Sequence, residues 1–404
     1  MPDVISPDEY RQRIFAAIEP MRAHQQPLME CLGLAAAEDV HAAVALPSFD
    51  NSAMDGYAVR AEDVATASGE TPVHLPVVGE IGAGQAHLLA LPPGAAAKIM
   101  TGAPLPSGAD SVVPYEWTDR GVAQVTIEQA PERGQHVRYT GEDVSPGDLV
   151  ISSGSLLGPR QIGLLASVGR SHVAARPRPR VVVISTGAEL REPGQSLGHD
   201  SIYDANSFML AAAARQAGAV AYRVGIVPDS PSAFLAALDD QLVRADLVVT
   251  SGGVSAGDYD VVKEALAPQG VWFGPVAMQP GKPQGFGLVG DDRVPILALP
   301  GNSVSSFISF EQFVLPAIRR LMGLTPECRP ARSARLTHDV ASPDGRRQFL
   351  RGYVDGGSVT PVGGPGSHLI GGLAEANCLV VVPEETTELK AGAPVDVLVL
   401  DASF

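Results

Sequence analysis

The sequence predicts a multidomain α/β plus β protein whose centre is a doubly wound, mainly parallel α/β domain. Three observations carry this. Between residues 177 and 323 strand-like and helix-like runs alternate: 180–185, 206–216, 219–227, 230–245 and 246–251, then 271–277, 285–289, 295–299 and a closing helix over 304–322. Such alternation indicates βαβ units on a sheet with helices on both faces. Before and after this region the texture is of short alternating runs divided by Gly, Pro and Asp clusters, which is the pattern of β-rich modules.

Taken in order, Ser6-Pro-Asp-Glu9 is a capping box with Pro at the first helical position, and Tyr10, Ile14, Ile18 and Met21 follow at helical spacing. The chain is therefore expected to open with an amphipathic helix of about four turns. From 47 to about 141 the runs 73–81, 111–117 and 122–127 predict strands, with no long helical pattern among them. Arg176-Pro-Arg-Pro179 reads as a stiff linker into the α/β domain, and 326–331 as another leaving it. Beyond it, 333–340, 348–354, 379–382 and 395–400 predict a small C-terminal β-domain.

Composition bounds the function. The 404 residues suggest on the order of two to four domains, and 45% apolar with 18% charged residues supplies packed cores. A formal charge of −16 argues against a general nucleic-acid or anionic-membrane surface, so an anionic substrate must be held by local features. Cys31, Cys328 and Cys378 lie far apart without a C-x-x-C pair and read as buried structural thiols. The start lacks a basic stretch followed by an apolar one, no run reaches transmembrane length, and a cytoplasmic location is expected.

Three Gly-containing loops follow predicted strands: Ser185-Thr186-Gly187, Thr250-Ser251-Gly252-Gly253-Val-Ser255 and Leu299-Pro300-Gly301-Asn302-Ser-Val-Ser305. Ligands of open parallel sheets bind beyond the carboxyl ends of the strands, so these loops are expected to share one crevice. Glycine lets backbone N–H groups approach phosphate, and the helix after Asn302 adds a positive dipole end. Each loop taken singly is also a tight turn. None matches G-x-x-x-x-G-K-[ST] or a clean G-x-G-x-x-G, which disfavours an ordinary phosphate-loop ATPase or dinucleotide enzyme.

Carboxylates accompany the loops: Glu189, Asp229, Asp258 and Asp260. Mg²⁺ takes one or two carboxylates plus phosphate oxygens, which suits acidic groups beside an anion loop, although helix caps and solvated turns use the same residues. Pro280-Gly-Lys282-Pro283 sets a lysine in a rigid turn. Arg346, Arg347 and Arg351 suit oxyanions, but alternation puts Arg347 and Arg351 on one strand face and Arg346 on the other. Gly364-Pro-Gly-Ser367-His368 is a turn carrying a hydroxyl and an imidazole. Asn51-Ser-Ala-Met-Asp55-Gly-Tyr-Ala-Val-Arg60 reads on its own as a hairpin turn at Asp55-Gly56 before a strand, and Ile99-Met-Thr101-Gly-Ala-Pro as a strand ending in a turn.

Together, segments 51–60, 98–104, 185–190, 251–263, 280–283, 299–305 and 349–352 resemble the MoeA family of molybdopterin molybdenumtransferases, whose eukaryotic relatives include the gephyrin E domain. The likeness spans essentially the whole chain. It implies four subdomains: 1–20 with 178–328 as a molybdopterin-binding type α/β catalytic domain, 21–45 with 142–177 as a discontinuous linking domain, 46–141 as an inserted β-rich domain, and 329–404 as a C-terminal β-barrel-like domain. It also implies a homodimer with a shared active site, and other proteins of molybdenum cofactor biosynthesis as partners.

The implied reaction inserts molybdate into molybdopterin adenylate with Mg²⁺-dependent hydrolysis and release of AMP. Matching positions make Asp55, Thr101, Glu189, Asp229, Asp258 and Asp260 catalytic, the last four as Mg²⁺ ligands or phosphate-positioning groups. Ser185, Thr186, Gly187, Ser251, Gly252, Gly253, Ser255, Pro300, Gly301 and Asn302 would bind the pterin adenylate. Lys282, Ser305, Arg351 and Ser367 would hold molybdate. Two departures bear on oxyanion affinity: Ser303 stands where the family usually has Pro, and Gln279 where it often has Lys or Arg. An adenylyltransferase of the same α/β type normally lacks the flanking β-modules. A scaffold would not need the carboxylate set.

Overall fold

The computed structural model describes residues 3–84, 90–254, 260–402 and 404. Its central sheet runs in the order Val220–Arg223, Arg180–Ser185, Leu247–Ser251, Val294–Leu299, Pro283–Val289, Trp272–Pro275. The first four strands are joined by parallel ladders and the last two by antiparallel ones, which is the doubly wound, mainly parallel arrangement expected.

These strands are apolar at nearly every position because both faces are covered, and their side chains alternate between two cores. Val181, Val183, Leu247, Val249, Leu297 and Leu299 enter one core with the helix Asn206–Gln216 and the helical stretch 303–322. Val182, Ile184, Val248, Ile296 and Ala298 enter the other with Phe234 and Leu238 of Pro231–Leu242 and Val262 and Leu266 of Val261–Leu266. The closing helix is continuous but loosens into a π turn at Phe310–Val314, immediately before Pro316, which cannot donate a backbone hydrogen bond.

The opening helix packs on this domain through Tyr10, Ile14 and Ile18, with the Tyr10 ring edge-on to Phe313 at 4.7 Å. Ser6 caps it, accepting from the Glu9 amide at 3.0 Å, as the capping box requires. It ends at Ala17, about a turn early, because Glu19 precedes Pro20 and is steered away from helical angles.

The strand pairs His24–Pro27 with His172–Ala175, and Val40–His41 with Leu149–Ile151, tie two distant stretches of chain together. They bracket a five-stranded sheet ordered Ser111–Pro114, Gly56–Val59, Ala96–Ile99, Val73–Ile81, Gln124–Ile127. The hairpin expected at Asp55-Gly56 is not formed: Asn51–Ser52 pairs with Val137–Arg138, while Gly56–Val59 lies between two other strands. Gly56 is needed for close approach instead, since a Cβ there would sit 2.0 Å from the Val113 carbonyl oxygen.

The C-terminal strands Arg347–Asp355, Ser358–Pro361, Ala331–Leu336, Pro394–Val399 and Cys378–Val382 close into a ring, because the last also pairs with the first. Burial of Cys378 in it pushes that thiol up to about 11, which makes it inert. Two short helices were not legible in the sequence. Pro159–Ser167 is marked only by Gly158-Pro159, and Ile370–Glu375 carries two glycines that disfavour helix.

The barrel is fixed to the α/β domain by a shared ladder, Met278–Gln279 on Arg347–Gln348, and by charge. Arg347 reaches Asp8 of the opening helix and Glu384, each at 2.8 Å. Arg329 donates to Glu311 of the π turn at 2.9 Å and to the carbonyls of Val399 and Ala402. Burial raises the Glu311 pKa and the Arg329 guanidinium opposes it. Arg329→Met strands a buried carboxylate and is expected to destabilise the chain by about 3–5 kcal/mol in urea unfolding, while Glu311→Leu with Arg329→Met recovers at least half of that loss.

Candidate active site

Three adjacent strands end at one level, with Ser185 opposite Ser251 and Ser251 opposite Leu299. The loops that follow are therefore neighbours, and a cavity of about 90 Å³ opens between them, lined by Ser185, Thr186, Glu189, Ser251, Gly252 and Gly301 among others. This is the crevice expected at the carboxyl ends of a parallel sheet.

Each loop contributes by its backbone. Gly252 and Gly253 have φ of 96° and 66°, left-handed values that glycine adopts without strain and that turn the chain sharply after the strand. The Gly252 amide donates to the Leu299 carbonyl at 3.1 Å, tying the second loop to the third. Glu189 folds back over Gly187, whose missing Cβ leaves the space: an added carbon would lie 2.8 Å from either carboxylate oxygen. Ser185 is buried, donating to Asp204 at 3.2 Å, while Thr186 Oγ1 is buried with no hydrogen-bond partner among the described residues.

The carboxylates are differently placed. Glu189 lines the cavity. Asp229 is exposed in the turn before the helix Pro231–Leu242, whose cap is Ser230. Asp260 stands at the start of Val261–Leu266, and its carbonyl accepts from the Glu264 amide at 2.9 Å. Asp258 and Ser255 lie outside the described residues. Among the described residues no group of three or more His, Cys, Asp or Glu side chains converges as a metal site.

Around the start of the closing helix a second set gathers. Pro300 is buried and Gly301 and Asn302 exposed. Asn302 does not cap its own helix; its amide donates to Ser367 Oγ at 3.0 Å, and the Ser367 carbonyl accepts from Val304 N at 3.2 Å. Arg351 is only 4% exposed and supports this turn from beneath, donating to the carbonyls of Gly366 at 3.1 Å and of Gly364. Its Nε has no partner among the described residues, and burial lowers its pKa.

Lys282 is exposed and forms no ion pair among the described residues. Its turn abuts the same helix, where Gln284 bridges the Gly281 carbonyl and Ser309 Oγ, both at 2.6 Å. Ser305 is 4% exposed and lies one turn before Ser309 on that helix face. Arg346 and Arg347 do not join this set: Arg347 is committed to Asp8 and Glu384, and Arg346 precedes the strand.

Asp55 and Thr101 form a separate unit. Asp55 Oδ1 accepts from the Thr101 amide at 2.7 Å and its hydroxyl at 2.8 Å. Those two bonds, the backbone one first, hold the carboxyl below the usual range. Among the described residues neither makes a hydrogen bond or ion pair to the three loops.

Three family models match the chain in succession: MoeA N-terminal region (domain I and II) over residues 5–169, probable molybdopterin binding domain over 182–320, and MoeA C-terminal region (domain IV) over 333–400. Molybdopterin molybdenumtransferase 2 of Mycobacterium tuberculosis strain H37Rv is 48% identical over 398 residues, 96% of this chain and 97% of that protein. Molybdopterin molybdenumtransferase 1 of the same strain is 41% identical, covering 98% and 99%. The crystal structure of the molybdopterin biosynthesis MoeA protein from Pyrococcus horikosii superposes with a TM-score of 0.84 at 32% identity, covering 99% of this chain and all of that one.

Because the Asp55 pKa is depressed in the folded chain, the bonds from Thr101 stabilise above the ordinary carboxyl range and are lost as pH falls through the lowered value. Thr101→Val keeps the amide and removes the hydroxyl. The Asp55 midpoint, followed by carboxyl NMR, should move up toward the ordinary value; an unmoved midpoint would count against the hydroxyl bond.

Proposed function

This chain belongs to the MoeA family of molybdopterin molybdenumtransferases and serves molybdenum cofactor biosynthesis as a transferase, and we propose that it inserts molybdate into molybdopterin adenylate with hydrolysis of the adenylate and release of AMP. The observation that carries the route is the register of the three strands, which sets the left-handed Gly252, the Glu189 carboxylate and a Thr186 hydroxyl with no partner among the described residues around one cavity.

In this reading Ser185, Thr186, Gly187, Ser251, Gly252 and Gly253 cradle the phosphates, with Ser255 beside them in sequence. Backbone N–H groups do this well in a chain of charge −16, because they attract an anion without adding a side-chain counter-charge. Pro300, Gly301 and Asn302 form the third wall, and the helix behind Asn302 contributes its positive end.

Magnesium fits the donor set. Glu189, Asp229, Asp258 and Asp260 offer hard oxygens, and Glu189 borders the phosphate cradle. Bound there it would neutralise phosphate charge; one or two carboxylates suffice when phosphate oxygens and water complete the shell. Molybdate, as substrate, would be gripped by Lys282, Ser305, Arg351 and Ser367. Ser367 presents its hydroxyl at the helix start, Lys282 supplies a mobile cation, and Arg351 keeps the 364–367 turn in place. A charge pair at about 4 Å is worth roughly 4 kcal/mol at an effective dielectric of 20, so a lysine with no ion pair among the described residues is a substantial local attraction. The pterin's sulfurs are the soft ligands to which molybdenum passes.

Asp55 and Thr101 complete the site from a second copy of the chain, in a homodimer with shared crevices. That neither makes a hydrogen bond or ion pair to the three loops of its own chain among the described residues supports this. The division into 1–20 with 178–328, 21–45 with 142–177, 46–141 and 329–404 belongs to the same reading. No described helix is long and apolar enough to cross a membrane, and a cytoplasmic setting among other proteins of the pathway is proposed.

Asp260→Ala should bind molybdopterin adenylate yet release AMP at under a hundredth of the normal rate with molybdate and Mg²⁺; normal release would remove Asp260 from the route. Arg351→Ala should raise the molybdate concentration for half-maximal turnover about tenfold with pterin binding unchanged. Asp55→Ala and Asp260→Ala chains mixed as heterodimers should regain part of the activity each lacks, because one intact shared crevice remains. No regain in confirmed heterodimers would sink the shared site.

A further inference from the structure

We propose that Asn206 is a positioning residue that sets the spacing between the second and third loops, so that Ser251–Gly253 and Gly301 close on one phosphate together. The inference rests on the adenylate reading above and adds a residue that none of the anion loops contains.

Asn206 is the first residue of the helix Asn206–Gln216, one place after its N-cap Ala205, and its side-chain amide bonds to the loops rather than to its own helix. Its Nδ2 donates to Ser251 Oγ at 2.8 Å and to the Gly301 carbonyl at 2.6 Å. The Gly301 carbonyl can only accept, which fixes the amide with its nitrogen toward the loops. Oδ1 then points inward, buried and without a partner among the described residues. A buried unpaired amide oxygen is unfavourable, so the orientation is held by the two bonds on the other side.

The strap is itself anchored. Asp204, 1% exposed, accepts from Ser185 Oγ at 3.2 Å and from the Ser207 amide at 3.0 Å. Arg223 stands 3.7 Å from Asp204 and 2.9 Å from Glu192. The segment before the helix is thus pinned to the end of the first strand, and Asn206 reaches from there to the other two loops.

The two loops are also tied directly at their base, where the Gly252 amide donates to the Leu299 carbonyl at 3.1 Å. Ser251 also meets Ser306 Oγ at 3.4 Å, joining the strap to the closing helix. Removing the Asn206 amide frees Ser251 and Gly301 to move independently, and a phosphate held by both loses its pre-set geometry.

Calorimetric binding of AMP with Mg²⁺ to the full-length protein tests this, together with turnover on molybdopterin adenylate. Asn206→Ala should weaken AMP binding about tenfold and raise KM similarly, with the molybdate requirement and unfolding midpoint unchanged. Asn206→Asp should be weaker still, because a carboxylate oxygen would face the Gly301 carbonyl and the phosphate. If Asn206 acts through Ser251, the double variant Asn206→Ala with Ser251→Ala should bind no more weakly than the worse single one. Multiplying losses, or wild-type binding by Asn206→Ala, would overturn the proposal while leaving the adenylate reading intact. Failure of the wild-type chain to bind AMP would overturn that reading and this proposal with it. A variant that melts early is replaced by Asn206→Ser, which keeps a donor to one loop and should fall between Asn and Ala.

Discussion

Three neighbouring parallel strands, buried on both faces and in register at Ser185, Ser251 and Leu299, are the constraint on which the rest of the molecule depends. Their side chains are divided between two cores, so a slip of one residue in any strand would exchange its whole apolar set. That locks the level at which each strand ends. Three loops far apart in sequence consequently begin side by side, and small residues there let their backbones approach.

Electrostatics follows from where charges are confined. The chain carries −16 overall, yet its arginines near the site face inward, toward carbonyls or carboxylates. Arg351 donates from its two terminal nitrogens to the turn at Gly364 and Gly366, and Arg329 to Glu311 and two carbonyls. Burying a guanidinium against fixed acceptors makes it a brace, whereas Lys282, the exposed residue of the 280–283 turn, keeps its charge at the surface.

The modules are joined so that this geometry transmits. The short ladder between Met278–Gln279 and Arg347–Gln348 places the lysine turn at the seam between sheet and barrel. Arg347 adds the opening helix through Asp8, and Asn302 with Ser367 adds the barrel's glycine turn to the closing helix. The five-stranded insertion is joined to the rest of the chain through two short strand pairs, His24–Pro27 with His172–Ala175 and Val40–His41 with Leu149–Ile151.

By itself the sequence determined the α/β domain, because periodicity and punctuation agree there. Arg180–Ser185 and Asn206–Gln216 fall where the apolar spacing puts them, and the capping box at Ser6 works as written. Resemblance over separated motifs carried the family, which whole-length relatives bear out. Only the tertiary structure decided what Asp55-Gly56 does. Local turn chemistry favours a hairpin, but the strand pairs elsewhere, and Gly56 is chosen by the Val113 carbonyl against it. That Arg351 is buried and donates to the carbonyls of Gly364 and Gly366 is likewise decided by the fold, since its position in the strand says nothing of the turn it meets. Asn206 carries no motif at all. Its position between Ser251 and Gly301 depends on residues 45 and 95 places along the chain, and a relation of that range is set by strand order rather than by any local pattern.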